Sequence, residues 1–154
     1  MRVVIAAVGK IRSPELAAVV TEYETRAARY WPLDVREVRE QSSRSRPATQ
    51  VRDAEGERLL SAAGAAATLV TCDPDGTLMT SEALATWLQR RREMAADVAF
   101  LIGGASGLSS ALRDRAALRL SFGRLTLPHE LARLVLAEQL YRAGTIVRGE
   151  PYHK

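Results

Sequence analysis

The sequence is poor in sulfur and imidazole, with one cysteine, Cys72, and two histidines, His129 and His153, in 154 residues. One cysteine excludes an intramolecular disulfide. The three side chains together fall short of the four ligands of a structural zinc site, so no metal is expected. No apolar run approaches the ~20 residues of a bilayer-spanning helix, so no membrane partner is expected. The opening Met1-Arg2-Val3-Val4-Ile5 turns polar at Gly9-Lys10, too soon for a secretory leader. A soluble, cytoplasmic protein is the expectation. Glycine is also scarce where common cofactor folds need it. A dinucleotide-binding fold carries its glycine fingerprint after the first strand, and Val8-Gly9-Lys10-Ile11-Arg12 holds one glycine there. That disfavours nicotinamide enzymes and the ordinary Rossmann-like folds that hold a cofactor near the first strand. No phosphate-binding P-loop string exists, which removes the main support for kinases and GTPases.

The length suits a single domain, residues 1–154, able to bury a core without staples. The net charge is +4. Residues 1–102 contain 14 Lys+Arg and 14 Asp+Glu, and residues 103–154 contain eight basic and four acidic residues, so the excess lies in the last third. That is a modest footprint for a polyanionic partner.

Apolar periodicity predicts an alternation of strands and helices. Val3–Val8 reads as a buried strand. A helix follows from Pro14 to about Tyr30, with Ser13 as N-cap and Pro14 at the first helical position. Leu33–Val38 is a strand with one covered face, and Ser42–Pro47 a polar, turn-rich loop. Val51–Ala63 is a helix ending near Gly64. Ala67–Cys72 is a strand stopped by Asp73-Pro-Asp-Gly76. Ser81–Met94 is a helix capped by Thr80 or Ser81, and Asp97–Ile102 a fourth strand. Ser109 caps a helix to about Leu118, and Leu120–Leu127 holds a short strand and a loop. Pro128 opens a long helix to about Gly144, followed by a tail. Such alternation means an α/β fold: a parallel sheet with helices on both faces. Ligands bind such sheets beyond the carboxyl ends of the strands, so Cys72, Gly103 and the 122–127 stretch are the candidate positions.

Ile102-Gly-Gly-Ala-Ser-Gly-Leu108 follows the fourth strand. Adjacent glycines let backbone approach a ligand closely and permit positive φ. The string brushes against the Gly-x-Ser-x-Gly of a nucleophile elbow, but Leu108 stands where the second glycine belongs, and nothing pairs Ser106 with a histidine. The chain ends Pro151-Tyr-His-Lys154, which packs an aromatic ring, an imidazole and an ammonium into three residues, as an RNA-contacting tail does.

Six motifs in order complete the pattern: Val8-Gly-Lys10, Gly56-Glu-Arg-Leu-Leu60, Ile102-Gly-Gly-x-x-Gly-Leu108, Leu125-Thr-Leu-Pro-His129, Glu138-Gln-Leu-Tyr-Arg142 and Pro151-Tyr-His-Lys154. Together they resemble the ribosomal RNA large subunit methyltransferase H family of the SPOUT superfamily, over essentially the whole chain. The resemblance implies a C-terminal trefoil knot, a homodimer and S-adenosyl-L-methionine as cofactor. It also implies methylation of N3 of a pseudouridine in helix 69 of 23S rRNA, on the assembled 70S ribosome. Carried over, the cofactor-binding positions are Cys72, Gly103, Phe122, Gly123, Arg124, Leu125, Thr126 and Leu127. Cys72 stands where the family more often has leucine. His153 is the candidate base, because imidazole titrates near neutral pH, and Arg142 the candidate stabiliser of the resulting anion. Tyr152, Lys154 and His129 are candidate RNA contacts, with His129 also second in line as the base. Two other readings remain open: a transfer RNA ribose 2′-O-methyltransferase of the same superfamily, and a non-enzymatic ribosome-binding factor.

Overall fold

A computed structural model describes residues 1–64 and 67–153. Five parallel strands form one sheet in the order β2-β1-β4-β3-β5. They are β1 (Val3–Val8), β2 (Leu33–Val38), β3 (Thr68–Leu78), β4 (Val98–Ile102) and β5 (Leu118–Ser121). Five α-helices connect and follow them: α1 (Pro14–Ala27), α2 (Ala48–Ala63), α3 (Ser81–Glu93), α4 (Ser110–Arg115) and α5 (His129–Val147). A single 3-10 turn, Pro151–His153, ends the described chain. No described helix is long and apolar enough to cross a membrane.

The central strands are apolar throughout because both their faces are covered. In β1, Val3, Ile5 and Ala7 face a core closed by α1, α3 and α5, where Trp31, Leu88, Leu136 and Leu140 are buried. Val4, Ala6 and Val8 face the other way, onto Leu59 and Ala63 of α2 and Leu112 of α4. β4 divides in the same manner, with Phe100 on the first side and Leu101 on the second. The expected α/β sheet with helices on both faces is thus present.

Side-chain caps set several helix starts. Ser13 Oγ accepts the Leu16 N–H, Thr80 Oγ1 that of Ala83, and Ser109 Oγ that of Leu112. Other boundaries differ from the sequence reading. α1 stops at Ala27 and α4 at Arg115, each about three residues early, and α2 begins at Ala48. The long helix α5 does not end at Gly144 but runs to Val147. The Tyr30 ring explains why glycine is kept there, since a Cβ on Gly144 would lie 2.3 Å from it.

The largest departure is in β3. Asp73-Pro-Asp-Gly76 does turn, but the strand resumes: Cys72 and Thr77 both pair with Leu120, and residues 73–76 bulge out between them. A bulge tolerates Pro74, which lacks an N–H for the ladder. The Asp75 N–H donates to Asp73 Oδ1 at 3.0 Å and closes the bulge. Turn chemistry read from sequence is blind to whether the next strand offers a place to rejoin.

Candidate functional site

All five strands run in parallel, so their carboxyl ends share one edge of the sheet. Three loops meet there: the β3 bulge, the turn after β4 and the segment between β5 and α5. They enclose a cleft of about 490 Å³. That falls within the about 300–1,000 Å³ of small-molecule sites.

The turn after β4 depends on space at two glycines and on backbone conformation at a third. A Cβ on Gly103 would lie 2.8 Å from the Gly107 carbonyl oxygen. One on Gly104 would lie 3.0 Å from Glu55 Oε2 and from Val8. Only Gly107 has positive φ, +79°, and there a Cβ would meet open space. The sequence reading of close approach holds for Gly103 and Gly104, and that of positive φ for Gly107.

Beneath the turn, Glu55 is 4 % exposed. Its Oε1 accepts the Gln41 N–H at 2.9 Å, and its Oε2 has no partner among the described residues. In the bulge, Asp73 is buried while lining the cleft, and its Oδ2 meets Arg113 Nε and Arg119 Nη2, each at 2.9 Å. One carboxylate thus holds the bulge against α4 and β5. Neither acid was singled out from the sequence. Asp73 had a signal in its turn string; Glu55, on an ordinary amphipathic helix, had none.

The third loop is held by Ser121 and Arg124. Ser121 Oγ donates within reach of the Pro74 and Gly123 carbonyls, and the Gly123 N–H donates back to it. Arg124 Nη1 donates to the Pro74 carbonyl at 2.9 Å, outside the cleft. Of the eight expected cofactor positions, seven line the cleft: Cys72, Gly103, Phe122, Gly123, Leu125, Thr126 and Leu127. Arg124 does not; it fastens the loop to the bulge. Burial pushes the Cys72 thiol up to about 12, with the neighbouring Asp73 charge adding to it. The sulfur is therefore a neutral, apolar wall of the cleft.

His129, the first residue of α5, also lines the cleft, and its Nε2 is buried without a partner among the described residues. Arg142 and Tyr152 lie elsewhere in the subunit. Arg142 is 13 residues further along α5, about 20 Å at 1.5 Å per residue. It is ion-paired with Glu138 at 2.9 Å and sits 4.9 Å over the Tyr152 ring. Tyr152 also packs on Tyr141, at 4.5 Å between ring centres, and its hydroxyl donates to Glu138 at 3.2 Å. Burial, a hydrogen bond with Tyr23 and the Glu138 charge push the Tyr152 phenol up to about 12, so it is no base near neutrality. The Tyr30 hydroxyl donates to Glu150, which holds the tail along α5. His153 closes the 3-10 turn, but its side chain, like the whole of Lys154, lies outside the described residues.

A buried cation ties α5 to α1 and β2. Arg133 Nε donates to Glu24 of α1 and its Nη1 to Glu37 of β2, both at 2.7 Å. Burial alone would lower the guanidinium; the hydrogen bonds and charges of the two glutamates outweigh it and raise it. Sequence reading gave Arg133 no role.

Comparison with known proteins agrees with this architecture. The chain is 56 % identical over 154 residues to a protein of Gemmatimonas aurantiaca named ribosomal RNA large subunit methyltransferase H, with both chains covered in full. A Bacillus pumilus protein of the same name is 40 % identical over 159 residues, again covering both chains in full. Among solved structures, TrmJ from Z. mobilis ZM4 shares the fold at 17 % identity, with a TM-score of 0.50, over 98 % of this chain and 71 % of that one. The family described as Predicted SPOUT methyltransferase matches residues 1–153. The chain belongs to the SPOUT methyltransferase family.

Proposed function

We propose that this protein methylates large-subunit ribosomal RNA with S-adenosylmethionine. The finer reading is that it acts in the cytoplasm, as a homodimer, on N3 of a pseudouridine in helix 69 of 23S rRNA within the 70S ribosome. The observation that carries the reading is the cleft: loops remote in sequence converge at one sheet edge and bring seven of the eight expected cofactor positions together. The full-length likeness to relatives named for this activity supports the substrate class.

The cleft suits the cofactor in size and in chemistry. Its walls combine apolar side chains such as Ile102, Leu108 and Leu127 with glycine backbone, which leaves amide and carbonyl groups accessible for reading an adenine. Asp75 is exposed at its edge with no ion-pair partner among the described residues, and a carboxylate there favours a sulfonium cation. When bound, S-adenosylmethionine supplies a methyl group already primed for displacement. The protein's own task is to position, desolvate and handle one proton. The uracil N3–H lies between two carbonyls and must lose its proton to attack. His153 is the group proposed to take it, and Arg142 the cation that favours the resulting anion. Tyr152 and Lys154 are proposed to hold the RNA.

The ~20 Å between cleft and Arg142 along α5 supports a shared site. A C2 dimer can set the tail of one subunit at the cleft of the other. The expected trefoil knot belongs to the same reading. It is supported by the path of residues 122–128, which leave the edge strand β5 and pass the β3 and β4 loops before α5 packs on α1 and α3.

The test is methyl transfer from labelled S-adenosylmethionine to purified 70S ribosomes and, side by side, to transfer RNA. Mass spectrometry then locates the product. Label in helix 69 of 23S rRNA is expected. Label in a transfer RNA ribose would move the protein to another SPOUT activity. Absence of cofactor binding in a calorimeter would leave a ribosome-binding factor.

A further inference from the structure

The loops after β1 and β2 leave the same edge of the sheet as the three loops of the cleft. Two sets of contacts make them a continuation of its rim. On one side, the Arg12 N–H donates to Glu130 Oε1 at 3.2 Å, one residue beyond His129. Arg12 Nη2 also meets Glu40 Oε2 at 3.3 Å. On the other side, the Gln41 N–H donates to Glu55, whose second carboxylate oxygen stands beside Gly104 of the cleft. Residues 9–12 and 39–47 are thereby anchored to the first turn of α5 and to the glycine turn.

This rim is basic in a way that charge totals conceal. Residues 1–102 sum to zero, yet their charges are unevenly spent. Arg2, Arg26 and Arg36 are each paired with an acid. Lys10, Arg39, Arg44 and Arg46, all exposed, have side chains with no ion-pair or hydrogen-bond partner among the described residues. Of the acids close by, Glu40 faces Arg12 and Glu55 is buried, while Glu57 is exposed and shares a shallow hollow with Arg39. Arg44 and Arg46 are presented by a tight turn in which the Arg46 N–H donates to the Ser43 carbonyl and Ser45 has φ +56°.

We propose that this rim binds the phosphate backbone of the RNA whose base enters the cleft, on the subunit that holds the cofactor. The inference rests on the functional reading above and adds a contact surface that its tail residues do not supply. Exposed guanidinium groups bind phosphate oxygens in pairs, and several on one edge follow a strand. A membrane surface would instead call for large apolar anchors beside the cations. Gln41–Gln50 contains serines, threonine and glutamine and no large apolar side chain.

The test replaces all four cations, with Lys10→Ala, Arg39→Ala, Arg44→Ala and Arg46→Ala in one protein. A second protein keeps the charge with Lys10→Arg, Arg39→Lys, Arg44→Lys and Arg46→Lys. Affinity for 70S ribosomes and for 23S rRNA fragments is measured between 50 and 200 mM salt, roughly the range over which counterion release is read. The alanine protein is expected to lose about 3 from the slope of log affinity against log salt, at about 0.7–0.9 per phosphate contact. It should keep its thermal midpoint and its affinity for S-adenosylmethionine. The charge-keeping protein should retain most of the slope. An unchanged slope in the alanine protein would overturn the proposal. So would loss of binding to anionic phosphatidylglycerol vesicles with RNA binding intact. A wild-type protein that transfers no methyl group to ribosomal RNA would instead overturn the functional reading, and the slope on RNA would still decide the rim.

Discussion

Gly103 and Gly107 stand four residues apart in one turn, and they should fail for different reasons when replaced. A Cβ on Gly103 would lie 2.8 Å from the Gly107 carbonyl oxygen, 2.9 Å from its carbon and 3.1 Å from Leu108 Cδ2. Two of these neighbours are backbone and cannot rotate away, so Gly103→Ala must push the turn open by a few tenths of an ångström. Overpacking of this kind typically costs about 1–3 kcal/mol. In a chain of this length it should lower Tm by about 2–12 °C, at about 2–4 °C per kcal/mol. The displaced turn is a wall of the cleft, so affinity for S-adenosylmethionine should fall as well. Gly107 has room for a Cβ but sits at φ +79°. Gly107→Ala should cost about 1–2 kcal/mol through the left-handed backbone, and Gly107→Asn less, because asparagine tolerates that region. The assay is calorimetric unfolding of the four proteins, paired with titration by S-adenosylmethionine. Gly103→Ala with unchanged Tm and affinity would refute the argument from space. Gly107→Asn melting below Gly107→Ala would refute the argument from φ.

Removing Arg133 tests the polar anchor of α5. Arg133→Ala leaves the largely buried Glu24 carboxylate without its cation, and should destabilise the fold by about 3 kcal/mol, as breaking a buried pair does. Denaturant unfolding reads this, and a loss under 1 kcal/mol would mean the pair is solvated. Cys72 should alkylate slowly at pH 8: a thiol raised from 9.0 to about 12 has ~1,000-fold less thiolate, and higher nucleophilicity recovers only ~10–30-fold. Iodoacetamide labelling at the rate of a free thiol would contradict the raised thiol. Because the folded thiol holds its proton more tightly than the unfolded one, the stability it contributes is whole below pH 9 and lost as pH rises towards 12. Its share of any alkaline unfolding should vanish in Cys72→Ala. Sharing of sites across a dimer is checked by mixing an Ala105→Trp subunit, whose cleft is filled, with an Arg142→Ala subunit. Restored methyl transfer is expected in the mixture, and its absence would place cleft and Arg142 in unconnected sites.

Periodicity and local chemistry made much of this protein legible as sequence. The unbroken apolar runs Val3–Val8 and Val98–Ile102 identified strands covered on both faces, and Ser13, Ser109 and the pair Thr80 or Ser81 marked helix starts, because these signals act within a few residues. The order of six motifs identified the family. Tertiary structure alone decided how distant segments complete one another. It made the Asp73-Pro-Asp-Gly76 stop a bulge, because β5 lay ready to pair with both sides of it. It carried α5 through Gly144 to Val147, with the Tyr30 ring filling the space a Cβ there would take. It buried Asp73, Glu55 and Arg133, whose partners lie 14 to 109 residues away, beyond the reach of any local pattern. It also set Lys10 beside Arg39, Arg44 and Arg46 on one rim, because parallel strands deliver their carboxyl ends to a single edge, whereas summing charge along the chain had cancelled them.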